Sequence, residues 1–148
     1  MRSKDLYLRI AAEHDKLDID LVAICIIMTE RRFRWRSFRA MEYLILIASI
    51  MIGKTRHRTT IGMGQLRYDL WLERYGSHAK SLYASLQSME NYRMCRSFID
   101  ATGRHSITDI LKKYNGTSSA IYSREFSRHF AHISLFHSRF IGFPQRSR

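Results

Sequence analysis

Read for the spacing of apolar and polar side chains, the chain breaks into a series of helical stretches. Leu6 and Ile10, with His14 in the same register, mark a short amphipathic helix over residues 4–15. The run Leu21, Val22, Ile24, Ile26, Ile27 and Met28 then predicts a helix that is apolar nearly all round and reaches about Phe33. Such a helix belongs at the centre of a core, and Asp18 or Asp20 is placed to cap its free N–H groups. A second apolar stretch, Tyr43 to Gly53, predicts another buried helix that Gly53 ends. It is too short to cross a bilayer, which takes about 20 apolar residues. Arg31, Arg32, Arg34, Arg36 and Arg39 precede it. They fit a solvated helix face, or an anionic headgroup layer into which the stretch would dip.

Downstream, a basic segment around His57 (residues 54–60) leads into the loop Ile61-Gly62-Met63-Gly64-Gln65. A short helix is predicted from about Gln65 to Tyr75, closed by Gly76, and Ser77 is placed to cap a long helix running to about Thr102. Leu82, Leu86, Met89, Met94 and Phe98 form the apolar stripe of that helix, and Gly103 ends it. Ser106-Ile107-Thr108-Asp109 reads as a capping box with Asp in place of Glu, opening a helix through Ile110, Leu111 and Tyr114. A last helix runs from about Ser118 to Ile133 or beyond, before a frayed tail after Gly142. The only strand signal is a short hairpin near 54–62. The expectation is a mainly α, single-domain chain with an N-terminal helix (1–16), a core (17–133) and a basic tail (134–148).

Composition adds to this picture. With one Pro and seven Gly in 148 residues, little interrupts helices, and 45% hydrophobic residues suffice for a core. Lys and Arg total 25 against 13 acids, a net charge of +12, so the expected partner is polyanionic: nucleic acid, an anionic membrane face or an acidic wall polymer. Cys25 and Cys95 lie in apolar patterns without CxxC spacing and read as buried free thiols. The histidines lack compact ligand spacing, so neither a metal nor another cofactor is expected. The first twenty residues contain no continuous apolar segment of the kind a secretory signal needs.

Glu30 ends the first apolar run, so its carboxyl should sit at the edge of the core. Desolvation there disfavours the charged form and leaves a proton to donate near neutrality, as glycosidic cleavage requires of its general acid. The bland alternative is a surface pair with Arg34 one turn on. Gly62 and Gly64 let backbone approach a ligand closely, and Gln65 offers both a donor and an acceptor. With no third glycine and no preceding strand, the loop is not a dinucleotide site.

Glu30, then Ile61-Gly62-Met63-Gly64-Gln65-Leu66, then Lys113-Tyr114-Asn115-Gly116 resemble, in order, the three motifs of soluble lytic transglycosylases, over roughly 110 of the 148 residues. The resemblance implies a lysozyme-like fold and cleavage of peptidoglycan between N-acetylmuramic acid and N-acetylglucosamine, with Glu30 as single acid and base and 1,6-anhydro ends as product. By the same resemblance, Thr60, Gly62, Met63 and Gln65 would line the sugar cleft. Tyr114 and Asn115 would support substrate and acid, and Tyr122 would be a later cleft tyrosine. The implied partner is the glycan strand, with an anionic envelope surface second and nucleic acid not expected; the implied location is the envelope, and the implied state a monomer. Arg31 stands where a small residue usually follows the acid, Lys113 replaces the small residue before Tyr114, Thr117 replaces a second glycine, and the acid-to-Gln segment is longer than usual.

Other readings stay open. Glu42 or Asp69 as a second carboxylate would make the chain a lysozyme-type hydrolase. Glu30-Arg31-Arg32-Phe33 with Thr59-Thr60-Ile61 and Gln65 also resembles the peptidoglycan glycosyltransferases, with Glu90 as their second acid. A non-enzymatic nucleic-acid or membrane binder would use the arginines interleaved with Phe33, Trp35 and Phe38.

Overall fold

The structure, a computed structural model, describes residues 17–34, 36–54, 57, 59–101, 107–115 and 120–140. The expected helix at 4–15, Gly103, the Ser106 cap and the tail after Gly142 lie outside these residues. The described elements, in chain order, are helix α1 (Leu17–Phe33), helix α2 (Arg36–Met51), strands β1 (Thr60–Ile61) and β2 (Leu66–Arg67), then helices α3 (Tyr68–Tyr75), α4 (His78–Leu86), α5 (Ser88–Ala101), α6 (Ile107–Asn115) and α7 (Ala120–Phe140). The protein is mainly α with one short antiparallel hairpin.

Helix α1 is the centre of the core, packed against α5 and α7. Ala23, Cys25 and Ile26 are wholly buried, as an all-round apolar helix requires. The expected capping role of Asp18 and Asp20 is corrected, because the helix is already formed at Leu17 and both acids lie inside it. Asp20 is buried, accepts a hydrogen bond from the Tyr92 hydroxyl and lies 3.0 Å from Arg96 Nε. A charge removed from water needs such a partner, and the pair ties the start of α1 to α5.

Helix α2 forms as expected, but the expectation that it is buried is overturned: Leu46 is its one buried residue. Its end has the expected cause. The N–H of Gly53 donates to Ile50 O at 3.0 Å and that of Lys54 to Ser49 O at 3.1 Å, the paired bonds of a Schellman closure. Among the described residues, no helix is long and apolar enough to cross a membrane.

Three further boundaries differ from expectation. The hairpin lies at 60–67 rather than 54–62, pairing Thr60 with Arg67 and Ile61 with Leu66 around the Gly62–Gln65 turn. Gln65 is therefore in the turn and Leu66 in a strand, so α3 begins at Tyr68. The single long helix from Ser77 is two helices, separated by Gln87 in an extended conformation (φ −86°, ψ 128°). Ser77 does cap the first, accepting from Lys80 N, but Leu86 faces solvent and falls off the expected stripe. The segment before the hairpin is anchored by His57, which is buried, lies 2.8 Å from Ser49 Oγ through Nδ1 and donates its backbone N–H to Asp69. Both cysteines are free and buried, and burial pushes each thiol up to about 12.

Candidate functional site

Glu30 sits in the last turn of α1 with 6% of its surface exposed. Burial pushes its carboxyl above the ordinary carboxylate range; the nearby Tyr122 hydroxyl and the charges of Arg34 and Arg39 pull the other way, while Glu42 adds to the rise. Tyr122 comes from α7, its ring stacked on Phe33 at 5.9 Å. Burial and the adjacent Glu30 hold its proton on far above the ordinary phenol range.

The surface pair with Arg34 is present only in diluted form. Arg34 Nε stands 4.0 Å from Glu30, while Nη1 makes its close contact with Glu42. One guanidinium thus spans two acids, one from α1 and one from α2. The inner edge of α2 supplies the rest of this wall. Arg39 is half-buried, and its Nε and Nη2 have no hydrogen-bond partner among the described residues. The Tyr43 hydroxyl lies 2.7 Å from Ser85 Oγ, and burial pushes its proton loss above the ordinary phenol range.

The Gly62–Gln65 turn closes against this cluster because of its two glycines. Gly62 has φ +81°, and a Cβ there would lie 2.2 Å from Asn91 Oδ1. A Cβ on Gly64 would lie 2.2 Å from Cys95 Sγ, 3.3 Å from the Tyr114 hydroxyl and 3.8 Å from Ile27, one turn before Glu30. Gln65 takes a left-handed conformation (φ 51°), unusual for a residue with a side chain. Its amide steadies that conformation: Nε2 donates to Gly62 O at 3.0 Å, and Oε1 accepts from Thr60 Oγ1 at 2.9 Å. Gln65 and Thr60, expected to line a cleft, therefore bond to each other, and Gln65 is buried within its own turn. Met63 is half-buried and donates its backbone N–H to Asn91 Oδ1 at 2.6 Å.

Tyr114, in α6, packs edge-on against Phe98 and lies 3.9 Å from Cys95 Sγ through its hydroxyl. Burial first, then the fields of Cys95, Glu30 and Tyr122, hold it protonated. Glu30, Tyr114, Tyr122 and the Gly64 turn, far apart in sequence, thus meet around Cys95. Asn115 ends α6, and Gly116 lies outside the described residues.

The other acids are engaged elsewhere. Asp69 accepts from His57 N and from Arg67, and Glu90 from Tyr75 and Arg93. Glu90 instead lines an open cleft of about 620 Å³ with Tyr75, Lys80, Tyr83 and Met89. Among the described residues, no three His, Cys, Asp or Glu gather as metal ligands would.

Sequence reasoning missed Arg39, Tyr43, Asn91 and Cys95 as parts of this site. Asn91 carried a readable signal, since it shares the buried stripe of α5 with Cys95 and Ile99. A polar side chain in that register must find hydrogen-bond partners inside the protein. Chemically, the cluster offers a carboxyl held toward its protonated form, two tyrosine hydroxyls and two Arg39 nitrogens, Nε and Nη2, without a partner among the described residues. No protein-family profile, curated protein or solved structure matches the chain.

Proposed function

We propose that this chain is a peptidoglycan lytic transglycosylase of lysozyme-like architecture that cleaves the β-1,4 bond between N-acetylmuramic acid and N-acetylglucosamine. The supporting observation is Glu30: a carboxyl buried at the end of the central helix and pushed toward its protonated form, where the Gly64 turn, Tyr114 and Tyr122 converge. Glu30 gives its proton to the glycosidic oxygen as the bond to the muramyl anomeric carbon breaks. The resulting carboxylate then takes the proton of the muramyl 6-hydroxyl as that oxygen closes on the same carbon, forming the 1,6-anhydro ring and regenerating the acid. The neighbouring Tyr122 hydroxyl favours the carboxylate form, and Arg34 and Arg39 stabilise its charged stage. The site of action is the envelope, on glycan strands, as a monomer that uses no cofactor.

Glu42 favours a second reading. It shares Arg34 with Glu30, and two carboxylates on one site are what a hydrolase uses. Mass spectrometry of the soluble products of purified peptidoglycan separates the two. Anhydro-muropeptides support the transglycosylase, and reducing ends support hydrolysis. Glu30→Gln should lower release by about 10²–10⁴-fold, the usual worth of a general acid. Release equal to the wild type in that variant would refute both.

A further inference from the structure

Helix α2 divides lengthwise into two faces. Arg39, Glu42, Tyr43 and Leu46 turn inward to the Glu30 cluster and the core. The opposite face exposes Phe38, Met41, Leu44, Ile45 and Met51, with Leu44 at 67% and Met51 at 82%, and Ile52 is exposed just past the helix end. From Phe38 to Ile52 no exposed side chain carries a charge. The strip ends in basic residues on both sides, with Arg31, Arg32 and Arg36 exposed at the start and Lys54 at the finish. At 1.5 Å per residue the helix is about 24 Å long, a length that lies along a bilayer surface as easily as it packs in a protein.

We propose that the outer face of α2 docks on an anionic lipid bilayer, lying in the plane of the headgroups with its apolar side chains immersed and its terminal arginines and lysine on lipid phosphates. Three observations favour a bilayer over a second copy of the chain. The apolar strip has no acidic residue on its rim, and among the described residues only Arg32 of the flanking cations is answered, by Glu125 of α7, which leaves Arg31, Arg36 and Lys54 for a partner that supplies negative charge. Two copies packed face to face in antiparallel fashion would set Arg36 of each against Lys54 of the other, within molecules that each carry a net charge of +12. The strip is also unbroken and bounded by cations at its ends, the pattern of interfacial helices, whose binding combines immersed apolar area with attraction to anionic headgroups. Since the inner edge of the same helix walls the Glu30 cluster, docking would hold that cluster against the membrane surface.

The test is sedimentation of the full chain with phosphatidylcholine vesicles containing about 30% phosphatidylglycerol, beside vesicles of phosphatidylcholine alone. The wild type should bind the anionic vesicles at least tenfold more tightly than the neutral ones. Leu44→Asp/Ile45→Asp, on the exposed strip, should weaken that binding at least tenfold while leaving the melting temperature near that of the wild type. Glu30→Gln should bind like the wild type, which separates this inference from the proposed enzymology. Equal vesicle binding by wild type and Leu44→Asp/Ile45→Asp would overturn the proposal, leaving net charge as the cause of retention. A wild-type dimer in sedimentation equilibrium that the double variant converts to monomer, without vesicle binding by either, would overturn it in favour of self-association. Failure of the wild type to bind anionic vesicles as a monomer would overturn it as well.

Discussion

Helices α1 and α2 are neighbours in sequence and nearly equal in apolar content, yet one is enclosed and the other half bare. Along α1 every residue from Leu21 to Ile27 is buried; along α2 only Leu46 is. The difference lies in what surrounds them. α1 is held between α5 and α7, which present apolar stripes to it from two sides, whereas α2 turns one edge to the hairpin and the site and leaves its other side open. An apolar run therefore records how much surface wants to leave water, and not whether the rest of the chain can cover it.

The contrast can be broken most directly at the centre of α1. Ile26→Ala should destabilise the fold by about 2–5 kcal/mol in urea titrations, because the wholly enclosed site cannot collapse around the lost atoms. A cost below about 1 kcal/mol would mean that α1 is no more enclosed than α2. Next is the seam between α1 and the turn. Gly64→Ala places a methyl where Cys95 Sγ already sits, and should cost about 1–3 kcal/mol together with most of any glycan-cleaving activity. Gly64→Ala/Cys95→Ala should recover part of that stability, whereas a loss through backbone flexibility alone would not be rescued.

Titration probes the polar end of α1 with a smaller effect. The folded Glu30 carboxyl holds its proton to higher pH than the unfolded one, so folding binds a proton between the ordinary carboxylate value of 4.5 and the raised one. Its unfavourable contribution is absent below that window, grows as pH rises through it and is complete above it. The stability difference between wild type and Glu30→Gln should accordingly shift toward the variant as pH rises. The activity of the wild type should fall on the alkaline side as the acid loses its proton. A difference independent of pH would contradict the buried-acid assignment. The smallest effect belongs to α2: Ile45→Ala, at an exposed position, should change stability by no more than about 0.5 kcal/mol. A cost comparable to Ile26→Ala would show that the strip is covered in solution.

The features that sequence revealed are those set by periodicity and local caps. The all-round apolar run placed α1 at the centre and Glu30 at its rim, Gly53 and Ser77 marked helix ends, and Gly62 and Gly64 marked a close backbone approach. The break at Gln87 was invisible because neither Gly nor Pro makes it, and the peptide simply turns extended there. Asp20 looked like a cap because its partner Arg96 comes from a distant part of the chain. Gln65 looked like a ligand group, yet its amide is taken up by Thr60 and Gly62, a local economy that spacing alone does not disclose. The exposure of α2 depends on how distant elements pack, which no local pattern encodes.

Asn91 has a consequence in time as well as in space. Its side-chain amide donates to Ser85 O in α4 and to Gln87 O at the helix break, and its carbonyl oxygen accepts the N–H of Met63 from the hairpin turn. The turn beside Glu30 therefore cannot open alone, because releasing Met63 leaves a buried acceptor stranded and loosens the clasp that sets α4 against α5. In amide hydrogen exchange Met63 should behave as part of the same cooperative unit as the α5 core rather than as a loop residue, exchanging only when that unit opens. A hairpin turn would then keep the slow clock of the protein's interior.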